Sequence, residues 1–176
     1  MRTDRLAVVV VVVAVVVAVA GCNDDADAGR DRQEEVAERG AEVMPFDLDA
    51  TTHRFEPTDR GLVQTVVADD PDDAEQVELV QEHLAEEAER FRRGDYGDPA
   101  AIHGEDMPGL ATLEARAASV DVERARLPDG ARLTFSSDDP DVVQALHDWG
   151  EAQTSDHGAH ADHSQATSTA PVPSHL

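Results

Sequence analysis

The sequence predicts an α+β fold: two β-β-α units forming a four-stranded antiparallel sheet with helices packed on one face, plus a short middle helix. Three observations carry this expectation. Residues 51–56, 62–67, 120–123 and 131–135 are short strand-like stretches rich in β-branched and apolar residues. The turn clusters Pro57-Thr58-Asp59-Arg60-Gly61 and Leu127-Pro128-Asp129-Gly130 join them in pairs. Each pair is then followed by Asp-Asp-Pro-Asp and by apolar residues at helical spacing.

The chain opens with Arg2 and Arg5, an unbroken apolar run over residues 6–20, and the small residues Ala20 and Gly21 before Cys22. A basic start, an apolar core and a small-residue cut site make residues 1–21 a signal peptide. The core is shorter than the roughly 20 apolar residues that a permanent membrane helix needs. Val19-Ala20-Gly21-Cys22 resembles a bacterial lipobox, which makes Cys22 the lipidation site and places the protein at the cell membrane, lipid-anchored and facing outside the cytoplasm. An ordinary signal peptide or a retained anchor with a chance cysteine is the competing reading.

The chain has 14 basic and 38 acidic residues, a formal charge of −24, and no lysine. Losing Arg2, Arg5 and Asp4 with the signal peptide makes it one unit more negative. Such an excess of negative charge argues against nucleic acid as a partner and favours solubility or cations. Cys22 is the only cysteine, so the folded part must rely on its core rather than on a disulfide.

Residues 22–43 read as an acidic, flexible tether. Val36 and Val43 are the only large apolar residues there, too few to fold alone. A short helix over 33–39 is conceivable, with nothing apolar to hold it to the domain. Residues 44–155 make one domain. In its first unit Asp70 is the expected helix N-cap, with Pro71 in the first turn. Val77, Val80, Leu84, Ala88 and Phe91 form one helical face, and Gly94 ends it. In the middle, Asp98-Pro99 opens a short turn or helix through Ile102, and residues 103–106 form a loop. Asp106 caps a helix from Pro108 through Leu110, Leu113 and Ala117. In the second unit, residues 137–141 open a helix with Val142, Val143, Leu146 and Trp149 on its apolar face. The two units suggest internal duplication, or else the frequency with which Asp-Pro starts helices. Residues 156–176 form a His-rich, disordered tail.

Met44-Pro45-Phe46-Asp47-Leu48-Asp49, Thr51-Thr52-His53, Ile102-His103-Gly104, Met107-Pro108-Gly109-Leu110, Leu127-Pro128-Asp129-Gly130-Ala131 and Ala145-Leu146-His147-Asp148-Trp149 form a joint pattern. Over roughly residues 44–158 it resembles a family of small, uncharacterised bacterial proteins whose members often carry the name aspartate carbamoyltransferase. The Ser-x-Arg-Thr-Arg motif and the lysine with which carbamoyltransferases hold carbamoyl phosphate do not occur here, so the resemblance carries over no catalytic residue.

The chemistry must be sought in the histidines. His83 flanks the apolar face of the first long helix with Glu87 one turn on, an i, i+4 pair that projects in one direction and could hold a metal. His103 has Glu105, Asp106 and Met107 beside it, offering nitrogen, oxygen and thioether donors. His53 lies in the first strand and His147 on the flank of the last helix. The ordinary reading of each is a surface or half-buried histidine, and a shared site requires several of them to converge. In the tail, His157, His160 and His163 fall within eight residues together with Asp156 and Asp162, a composition suited to capturing Cu or Zn.

No Gly-x-Ser-x-Gly, His-Glu-x-x-His or phosphate-loop motif occurs. The sequence therefore suggests a membrane-anchored extracytoplasmic binding protein, with the lipid bilayer and divalent metal ions as partners. The alternatives are a structural or protein-interaction lipoprotein without metal, and an enzyme of unknown type. Cys22→Ser is expected to abolish membrane retention, because a hydroxyl cannot form the thioether to lipid; two or more acyl chains are needed for stable attachment. Retention of the Ser variant through a carbonate wash would show the apolar segment to be a retained anchor.

Overall fold

The computed structural model describes residues 24–157. Helix α1 (Asp24–Val43) leads through a 3₁₀ turn (Leu48–Ala50) into the hairpin β1 (Thr51–Thr58) and β2 (Gly61–Ala68). Helices α2 (Ala74–Arg92), α3 (Gly97–His103) and α4 (Leu110–Ala115) follow, then β3 (Asp121–Leu127), β4 (Gly130–Ser136) and α5 (Pro140–His157).

The strands form one antiparallel sheet in the order β1-β2-β4-β3, so the two hairpins meet along their second strands. Register pairs Leu62 with Phe135, Gln64 with Leu133 and Val66 with Ala131 across that seam. Because side chains alternate across a strand, this register puts Leu62, Val66, Ala131, Leu133 and Phe135 on one buried face. The cluster they form with Val80, Leu84, Ala88 and Phe91 of α2 and Val142, Leu146 and Trp149 of α5 is the core. The α+β class and the sheet with packed helices are thus as the sequence predicts, with each strand longer by one or more residues and both turns only two residues wide.

Several local expectations are corrected. Asp73, not Asp70, caps α2, its carboxylate accepting from the Gln76 amide at 3.1 Å. Asp70 instead accepts from the Asp72 amide, an Asx turn that holds Pro71 outside the helix. In the second unit Pro140 starts the helix within the expected 137–141 stretch, and the Asp139 carboxylate accepts from the Asp141 amide at 3.0 Å. Helix α4 begins at Leu110 with Gly109, not Asp106, at its start. Gly109 has φ +80°, and a Cβ there would lie 2.1 Å from the Ala145 carbonyl oxygen, so only glycine lets this turn press on α5.

The largest correction concerns residues 22–43. The segment expected to be a flexible tether forms α1 from Asp24 onward and packs on α3 and α5. Val36 is 2% exposed, and Gly40 lets Leu48 come close. Polar side chains do the rest. Arg39 donates to the Ile102 carbonyl at 3.4 Å, and Arg32 to the His103 carbonyl. Gln33 donates to the Ser155 carbonyl at 3.2 Å. These carbonyls lie in the last turns of α3 and α5, where helices leave acceptors unsatisfied and where positive charge is stabilised. The boundary at 155 moves too, because Asp156 and His157 complete α5 rather than begin the tail. Among the described residues no helix is long and apolar enough to cross a membrane.

Leu84→Ala and Leu146→Ala are each expected to destabilise by about 2–5 kcal/mol, as large-to-small core changes do, and Val36→Ala by about 2 kcal/mol. Denaturant unfolding measures all three. An unchanged midpoint for Val36→Ala would mean that α1 does not contribute to the folded core in solution.

A candidate histidine site

The sheet face is apolar at its centre and polar toward the β1 end. There His53 shares the buried side of β1 with Thr51 and lies opposite Val66. Gln64 of β2 faces the same way. Helix α2 brings His83 and Glu87 from one side, α3 brings His103, and α5 brings Trp149 and Gln153. These residues line a buried chamber of about 30 Å³, enough for about two water-sized guests. His53, His83, Glu87 and His103 are all at most 9% exposed.

Apolar side chains such as Phe46 and Ile102 make up much of the chamber wall, and its polar groups sit there at a real cost. Gln64 Oε1 and Trp149 Nε1 are buried and make no hydrogen bond within the protein, a situation that costs about 1–3 kcal/mol per group. Desolvation raises the Glu87 carboxyl to about 7. Arg90 donates to Glu87 at 3.2 Å, which pulls the other way. Burial prevails, and the neighbouring Asp98 carboxylate adds to it. Desolvation also lowers His83 below its ordinary value, only partly offset by Asp98 and Glu86. Both groups are therefore pushed toward their neutral forms.

His103 is held differently. Its Nδ1 lies 2.9 Å from Asp156 Oδ2. Burial lowers its basicity, and the hydrogen bond to Asp156 opposes this without cancelling it. Burial raises the Asp156 carboxyl, but hydrogen bonds from Arg32 and His103 and their charges outweigh it and hold the group below its ordinary value. Arg32 grips that carboxylate with two contacts, Nε at 3.2 Å and Nη2 at 2.7 Å. An ionised Asp156 accepts the Nδ1 proton, so neutral His103 keeps Nε2 as its lone-pair nitrogen. Orientation of an imidazole by a carboxylate is what metal-binding histidines commonly show.

Rings link the parts. His83 meets Phe46 edge-on at 5.6 Å, Phe46 meets His53 at 5.9 Å, and His53 meets His157 at 4.8 Å between ring centres. His157 also contacts His103 at 5.2 Å and stacks on Phe55 at 5.9 Å.

Of the residues singled out from the sequence, the fold gathers His53, His83, Glu87 and His103 around the chamber, with His157 against two of them. Met107 is buried and shares with His103 an outer cleft beside Arg32 and Asp156. His147 lies apart: its Nε2 donates to the Thr58 carbonyl at 2.9 Å, beside a surface groove floored by Phe55, Pro57 and Leu62. His160 and His163 lie outside the described residues. Among the described residues no group of three or more His, Cys, Asp or Glu side chains is disposed to hold a metal ion. Sequence reasoning missed Gln64, Trp149 and Asp156 as parts of the site. The 149, 153, 156 spacing, which continues the inner face of α5, was the available signal for the last. No protein-family model, curated protein or solved structure matches this chain.

The pH dependence of stability follows from the two shifted groups. Glu87 is an acid with a raised folded value, so the unfolded chain ionises first and stability falls as pH rises from about 4.5 to about 7. His83 is a base with a lowered folded value, so stability falls as pH drops through 6.5, where the unfolded chain takes up a proton and the folded chain does not. Glu87→Gln is expected to flatten the loss between pH 5 and 7 by up to about 3 kcal/mol. Urea midpoints at a series of pH values test this; parallel curves for parent and variant would show that Glu87 is ionised in the fold.

Proposed function

We propose that this protein is a lipid-anchored extracytoplasmic binding protein, attached through Cys22, whose histidines capture a divalent metal ion such as Cu²⁺ or Zn²⁺ at the buried chamber. The observation that supports it best is the convergence of His53, His83, Glu87 and His103, from β1, α2 and α3, on one small, largely apolar chamber. Imidazole nitrogens are donors suited to these ions, and Glu87 can add an oxygen once the metal displaces its proton. Burial keeps His83 and His103 neutral, the form that binds metal. The excess of acidic residues favours cations over anions in the surroundings.

A second reading is a protein-interaction lipoprotein. The surface groove beside His147, about 570 Å³ and apolar at its floor, favours it, since such grooves accept partner side chains.

The full chain, purified in detergent, is expected to gain thermal stability with added Zn²⁺ or Cu²⁺, rising with the logarithm of metal concentration above the dissociation constant. His83→Ala and His103→Ala should weaken the gain, and affinity should hold through pH 6.5 and fall only below it, because burial lowers both imidazoles below their ordinary value. A parent whose melting temperature ignores both metals would remove the metal reading and leave the interaction module ahead.

A further inference from the structure

The helices occupy one face of the sheet, and the core cluster takes none of its members from the other. Register fixes what that outer face shows. Arg54 of β1, Thr65 of β2, Arg132 of β4 and Ala125 of β3 lie side by side across the four strands. The next outward-facing row is Glu56, Val63, Thr134 and Glu123. Small side chains therefore fill the middle of the surface, with positive groups in one row and negative groups in the next. Val63, Thr65, Ala125 and Thr134 are half-buried, whereas Glu56, Glu123 and Arg132 are exposed.

This face is unlike the rest of the molecule. The chain carries 38 acidic residues against 14 basic, so two copies repel each other over most of their surface. On these two rows the signs balance, two arginines against two glutamates. Repulsion from acids on the far, helical side is screened over about 8 Å at physiological salt. Threonine, valine and alanine let two such sheets approach to the roughly 10 Å at which sheets pack face to face.

We propose that the outer face is where two copies of this chain meet, sheet on sheet, about a two-fold axis that runs across the strands between the two rows. A closed dimer of this kind presents the same patch from both copies. The axis lays each row on the other row of the second copy. Arg54 then faces Glu56 of the second copy, and Thr65 faces Val63. Arg132 faces Thr134, with Glu123 one strand over and within reach of the long side chain. Every contact occurs twice. A two-fold axis along the strands at the β2–β4 seam would instead set Glu56 against Glu123, so charge selects the first arrangement. Four strands about 4.8 Å apart and seven residues at about 3.3 Å give a face of roughly 19 by 23 Å. Two such faces bury about 900 Å², at the low end for specific interfaces, so the dimer is weak and reversible. The surface lies across the sheet from the chamber, and the inference is independent of the metal reading.

The test is sedimentation equilibrium of the full chain in density-matched detergent over a range of concentrations, with melting temperature to show that each variant folds. The parent is expected to follow a reversible monomer–dimer equilibrium. Arg132→Glu and Glu123→Arg each bring like charges together and should raise the dissociation constant more than about tenfold. An equimolar mixture of these two variants should dimerise like the parent, because each meets the opposite charge on the other. The chain carrying both substitutions should do the same. Arg54→Glu and Glu56→Arg, mixed in the same way, supply a second and separate pair. A parent that is monomeric throughout overturns the proposal. So does a dimer that all four single substitutions leave unchanged, since its contact then lies on another surface, such as the groove beside His147, or in the micelle. Weakening by the single variants with no rescue in either mixture also overturns it, because the charges then serve something other than a second copy.

Discussion

The contact between Arg32, Asp156 and His103 ties together three elements that are distant in sequence. Arg32 comes from α1, His103 from the end of α3 and Asp156 from the end of α5. Each partner solves another's problem. Asp156 is only partly exposed and would be expensive as a lone charge; Arg32 neutralises it with two contacts. The His103 ring would bury a donor without a partner; Asp156 accepts from it. The last carbonyls of α3 would be orphaned; Arg32 and Arg39 satisfy them. Remove the guanidinium and the Asp156 charge and the His103 carbonyl lose a partner together, and the ring is left against an uncompensated carboxylate. Such coupling makes the three residues a unit whose separate contributions do not add.

This explains how α1 stays folded with so little apolar surface. Its inner face offers Val36 and Gly40 to the domain and few other apolar groups. A helix of this composition has little reason to form alone in water. It is held because two of the chain's scarce arginines sit at the C-terminus of α3, where the backbone dipole and unsatisfied carbonyls await a cation. In a protein with 14 basic against 38 acidic residues, the position of each arginine carries structural weight.

The fold's main frame was legible because it rests on local patterns. Two-residue periodicity marked the strands, the Pro-Asp-Gly turn marked the second hairpin, and the 3- and 4-residue spacings marked α2 and α5. The tether was misread because hydrophobic content is a poor measure of a segment held by charge and hydrogen bonds. Nothing within residues 22–43 announces that Arg32 has a carboxylate waiting 124 residues on. The α2 start was misplaced for a subtler reason. A run of Asp residues offers several caps, and the choice depends on which aspartate an Asx turn uses first.

The site divides along the same line. His83 and Glu87 were visible together because an i, i+4 pair is a local fact of helices. His53 was also within reach: it shares parity with Thr51 and Phe55 along β1, so a strand with one buried face turns all three inward. What parity cannot give is the neighbour. That His53 meets His157 rather than solvent depends on where the last turn of α5 comes to rest, and that depends in turn on Asp156 finding Arg32. The histidine spacing in the C-terminal segment looked like a self-contained composition because its first member was counted as tail. His157 instead belongs to the fold, its ring set against those of His53 and His103.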